Sequence, residues 1–130
     1  MKKALYCLFI TLMLALTLPG CENEDFAVNA YKTLKSADLT YTATMQSVAK
    51  AQAAGIISAE QRIIINDSAR IYLTAFRAAA NALYTWQLSK SKDDQLAVMQ
   101  GVSNCVQSVK ELVVLVASNG VKTGGTNENK

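Results

Sequence analysis

Few residues in this 130-residue chain have types and spacings suited to chemistry. Histidine is absent altogether, which removes the commonest general base near neutral pH and the commonest metal ligand. Cys7, Cys21 and Cys105 are too far apart to form a Cys-x-x-Cys pair. No glycine-rich phosphate loop and no Gly-x-Ser-x-Gly elbow occurs. In the part expected to fold, Asp93 and Asp94 are the adjacent carboxylates, and they stand where a helix should begin, so capping accounts for them. Glu60, Asp67 and Glu111 stand singly, with no like-charged neighbour at helical spacing to raise a pKa. These features predict a protein that is not an enzyme and that carries neither metal nor cofactor.

The remaining reactive position is Cys21. Met1-Lys2-Lys3 is a short positive segment, and Ala4 to Leu18 follows without a charge before Pro19-Gly20-Cys21. Positive, apolar, then small is the order of a secretory signal. The apolar run falls short of the roughly 20 residues that span a bilayer as a helix. With Leu18 three positions upstream and Gly20 directly before it, Cys21 resembles the lipobox cysteine of bacterial lipoproteins. Pro19 departs from the pattern, standing where that family usually carries Ala, Ser, Thr or Val. The resemblance covers 21 residues and implies cleavage between Gly20 and Cys21, acylation of the Cys21 thiol, and a chain held at the cell envelope facing the periplasm. Two or three acyl chains, at ~0.8 kcal/mol per buried methylene, give stable anchoring. By analogy with lipoprotein sorting in Gram-negative cells, Glu22 favours the outer membrane, with the inner membrane as the alternative.

From Cys21 onward the chain has 11 Lys and Arg (the total of 13 less Lys2 and Lys3) against 10 Asp and Glu. That balance leaves no basic stripe for nucleic acid. About 110 residues make one domain with a single core. Cys7 leaves with the signal and Cys21 is acylated, so Cys105 has no disulfide partner and reads as a small core residue.

Positioning falls to three periodic segments. Residues 21–25 form a short polar tether. In about 25–54, Ala30, Leu34, Ala37, Tyr41, Thr44, Val48 and Ala51 recur at alternating spacings of four and three, widened by Phe26, Tyr31 and Met45. Gly55 should end this helix. Ser58 and Gln61 form a capping box for a second helix, about 59–88. Its seam is Ile65, Ala69, Tyr72, Phe76, Ala79, Leu83 and Trp86, with a second apolar line through Ile64, Ile71, Ala75, Ala78 and Ala82. Arg62, Asp67, Arg70, Thr74, Arg77 and Asn81 take the opposite, solvated side. Ser91 and Asp94 cap a third helix, about 92–118, with a seam of Val98, Val102, Cys105, Val109, Leu112 and Val116. The run Leu112 to Ala117 is apolar all round, either buried or open to a partner. Asn119-Gly120-Val121 reads as a C-cap, and residues 122–130 as a disordered tail.

Helices of nearly equal length, ~45 Å at 1.5 Å per residue, joined by short loops, predict an all-α, antiparallel up-down-up three-helix bundle over 26–121. Arg62, Arg70, Arg77 and the off-seam Tyr84 are its candidate interaction surface. Tyr84, with Trp86 and Lys90, falls at the membrane end, where an amphipathic aromatic beside a lysine suits an interface or ordinary rim packing. The functional expectation is an accessory, inhibitory or phage-exclusion type of lipoprotein that binds an envelope protein. The alternatives are a module for a hydrophobic ligand or lipid, and a self-associating structural lipoprotein.

Overall fold

A computed structural model describes residues 23–123. The signal segment with Gly20 and Cys21, and the tail from 124 to 130, lie outside the described residues. Three helices pack into an antiparallel bundle: α1, Asn23–Ala53; α2, Ala59–Ser89; and α3, Lys92–Ser118. The start of α1 and the end of α2 meet through the rings of Phe26 and Trp86, whose centroids are 4.7 Å apart in an edge-on arrangement. α1 begins two residues before the expected Asp25. Asn23, Glu24 and Asp25 therefore form its first turn rather than part of an extended tether, and the two carboxylates sit against the positive end of the helix.

The helix ends follow local chemistry. Gly55 takes φ +70°, its amide donates to the Gln52 carbonyl at 3.0 Å, and the Ile56 amide donates to Ala51 at 2.9 Å. That pair of bonds is a Schellman motif. The same device closes α3: Gly120 takes φ +78°, with Gly120 donating to Ala117 and Val121 to Val116. Val121 then packs among the buried residues of that end. At the start of α2, the Ser58 hydroxyl accepts from the Gln61 amide at 3.2 Å, and the Gln61 side chain accepts from the Ser58 amide at 2.8 Å. Ser91 caps α3 by accepting from the Asp94 amide at 3.1 Å.

The core has two parts joined at Tyr41, which packs against both. The larger contains Leu34, Tyr72, Ala79, Trp86, Val98 and Cys105, and the smaller, beside the α1–α2 turn, contains Val48, Ile65, Leu112 and Val116. Tyr41 stacks on Tyr72 with centroids 4.6 Å apart. α2 and α3 share the most extensive contact, α1 and α3 less, and α1 and α2 the least. Small residues make the α2–α3 approach close. A Cβ placed on Gly101 would lie 3.0 Å from the Ala79 Cα, so α2 and α3 come together at glycine-on-alanine distance.

Apolar stripes and buried faces part company in places. Ile64 and Ile71 of the second α2 line are 56% and 61% exposed, while Ala75 and Ala82 of the same line pack against the core. Tyr31 does not widen the inward stripe of α1 and is 60% exposed. The run Leu112 to Ala117 splits as a helix face should: Leu112 and Val116 are fully buried, Val113 and Leu115 half-buried, and Val114 and Ala117 exposed.

Candidate functional site

The thin contact between α1 and α2 leaves an open groove of about 350 Å³. Leu34, Leu83 and Phe76 form its apolar floor, since the first two are buried and the third half-buried. Tyr31, Lys35 and Asp38 rise from α1, and Tyr84 and Gln87 from α2. Tyr31 and Tyr84 are 60% and 65% exposed, and they flank one groove from opposite helices. Phenol rings there offer wide, stiff contact area with a polar tip, and Lys35 and Asp38 offer one charge of each sign.

Four of the candidate positions inferred from sequence sit on α2, and the fold does not gather them equally. Arg70, Arg77 and Tyr84 are spaced by seven residues, so they form one exposed row stepping ~10.5 Å at a time toward the groove. Arg70 is tied to Asp67 of its own helix. Arg62, eight residues before Arg70, is rotated off this row. Tyr84 therefore lines the groove, whereas Arg62, Arg70 and Arg77 are not among the residues that line it. Tyr31 was expected to widen the inward stripe of α1, and Lys35 and Asp38 were not singled out, because periodicity marks an inward face without saying how far the neighbouring helix stands off. The signal for them was an aromatic one position off a seam of small residues. Gly20 and Cys21 lie outside the described residues.

A second chemically distinctive place is the buried pair Tyr72 and Cys105. Both are fully enclosed. The Tyr72 hydroxyl has no hydrogen-bond partner of good geometry. Burial pushes its pKa far above the ordinary tyrosine value, and the neighbouring Cys105 and Asp38 push it further. Burial also raises Cys105, against a lowering contribution from Tyr72. A protonated thiol and a protonated phenol at neutral pH provide neither nucleophile nor base. Trp86 is likewise buried, with the Lys90 ammonium 4.2 Å above its ring, so Tyr84 alone of that aromatic group faces out.

Among the described residues no group of three or more Cys, Asp or Glu could hold a metal ion, and no helix is long and apolar enough to cross a membrane. No protein-family model, curated protein or solved structure matches the chain.

Proposed function

We propose that the chain is a non-enzymatic envelope lipoprotein, anchored through an acylated Cys21, whose bundle binds another envelope protein through the α1–α2 groove. The observation that carries the reading is the pair Tyr31 and Tyr84, more than half exposed on either side of one apolar-floored groove. Tyrosine and arginine are the residue types over-represented where interfaces concentrate their binding energy, and Arg77 continues the Tyr84 row. An accessory or inhibitory role suits a module that presents a surface and no reactive centre.

The test has two arms. A photo-crosslinking amino acid at position 84 should capture a single envelope protein in living cells, and Tyr31→Ala should abolish that adduct. The same probe at exposed Ile71, on another face of α2, should not capture it. Equal capture at both sites, or none at 84, overturns the interaction reading. The intact mass of membrane-extracted protein should correspond to a chain starting at Cys21 plus acyl chains, lost in Cys21→Ala. A mass without lipid overturns the anchor.

A further inference from the structure

The end of the bundle that holds the start of α1 exposes apolar side chains that no packing within the fold requires. Leu88, one residue before the end of α2, is 72% exposed, the highest value among the large hydrophobic residues described. Leu96 on α3 is 62% exposed and Val28 on α1 48%. Each lies within about 8 Å of its helix end at 1.5 Å per residue. Because the helices alternate in direction, these three ends coincide, as the Phe26–Trp86 contact requires. The three side chains, one from each helix, form a collar around one end of the bundle.

We propose that this collar seats the bundle on a lipid surface with zwitterionic headgroups, the domain standing on its end. The inference rests on the anchor reading of Cys21 for its orientation. Cys21 precedes the first residue of α1, Asn23, by two positions. Two residues reach at most ~7 Å, so an acylated Cys21 holds this end, and no other, against the headgroups. The apolar side chains then enter the headgroup layer that interfacial elements occupy, at the level of the carboxylates in the first turns of α1 and α3. The far end exposes Ile56, Ile63 and Ile64 just as openly, so apolar exposure by itself does not choose between the ends. The position of Cys21 does.

Charge selects the headgroup. The two helical turns nearest this end carry Glu24, Asp25, Asp93 and Asp94 against Lys90 and Lys92, all exposed except half-buried Asp94. A surplus of carboxylates opposes anionic lipid and leaves headgroups without net charge, those of phosphatidylethanolamine or phosphatidylcholine, as the surface that does not repel this end. The attraction is therefore apolar burial, which salt does not screen.

The experiment reconstitutes full-length protein extracted from its membranes into vesicles of phosphatidylethanolamine and phosphatidylcholine. It carries a photo-crosslinking residue at Leu88 or, as an equally apolar control at the far end, at Ile64. Lipid adducts several-fold more abundant at 88 than at 64, unchanged in high salt, are expected. Equal or absent adducts on a protein whose mass shows acylation overturn the seating while leaving the anchor intact. Preferential adducts at 88 on an unacylated protein overturn the anchor and leave the seating. An unacylated protein without adducts overturns both.

Discussion

Lys90 is bound twice to Trp86: its backbone amide donates to the Trp86 carbonyl at 2.7 Å, and its ammonium lies 4.2 Å from the centroid of the Trp86 ring. It does so from a left-handed conformation, φ +54°, the one positive φ outside glycine among the described residues. The side-chain contact offsets the backbone cost and closes the lid over a tryptophan that is otherwise surrounded by core. Two substitutions separate the contributions. Lys90→Ala keeps the strained backbone and loses the cation–π contact, for an expected loss of about 0.5–1 kcal/mol. Lys90→Gly also loses the contact but relieves about 1–2 kcal/mol of left-handed strain, so it should be neutral or slightly stabilising. Denaturant melts of both variants check the order; Lys90→Ala at or above Lys90→Gly would refute it.

Gly101 invites a substitution that helix propensity alone would misjudge. On an isolated helix, glycine to alanine gains about 1 kcal/mol. Here the new Cβ would sit 3.0 Å from the Ala79 Cα, and backbone cannot move aside as a flexible side chain can. Overpacking costs about 1–3 kcal/mol. Gly101→Ala should therefore lower Tm, and Gly101→Leu should lower it far more.

Tyr72→Phe should raise stability. It removes a buried hydroxyl without a partner of good geometry and keeps the ring stacked on Tyr41, for an expected gain of about 1 kcal/mol. The pH dependence has a definite sign. The folded pKa is raised, so the stability contributed by the neutral phenol is fully present below the unfolded value near 10 and is lost as pH climbs beyond it. Alkaline unfolding should move to higher pH in Tyr72→Phe, as circular dichroism would show.

Acid acts at the α2–α3 corner, beside Lys90. Hydrogen bonds from Ser89 first, then Ser91, hold the Asp94 carboxyl below its usual range. The stability this carboxylate contributes is present above its unfolded value near 3.9 and is lost as pH falls through the lowered folded value. Ser89→Ala with Ser91→Ala should flatten the acid limb of the stability profile and fray the first turn of α3 in hydrogen exchange.

The Cys105 thiol should react slowly. It is fully buried and burial raises its pKa, so a disulfide reagent should modify it only as fast as the bundle opens, and denaturant should accelerate the reaction sharply. Rapid modification of the native protein would refute the buried placement.

The helix ends were legible in the sequence because they depend on neighbours a few residues away. Ser58 with Gln61, Ser91 with Asp94, and Gly120 before Val121 each settle their own backbone hydrogen bonds locally, so residue type and spacing suffice. The seams were legible for a similar reason: a period of three and four marks one face of a helix whatever that face meets. What each edge of a seam meets was not. The closeness of α2 to α3 depends on Gly101 finding Ala79 across the bundle, and Ile64 and Ile71 are exposed although their spacing reads as buried. The α1–α2 groove follows from the same packing order, which brings Tyr31 and Tyr84 together from residues 53 positions apart in sequence. The sequence by itself determined three helices, their caps and their inward faces, because these are set by local hydrogen bonding and periodicity. Only the tertiary structure decided which helices come close and which part, because interhelical distance is fixed by side-chain volumes meeting across the interface.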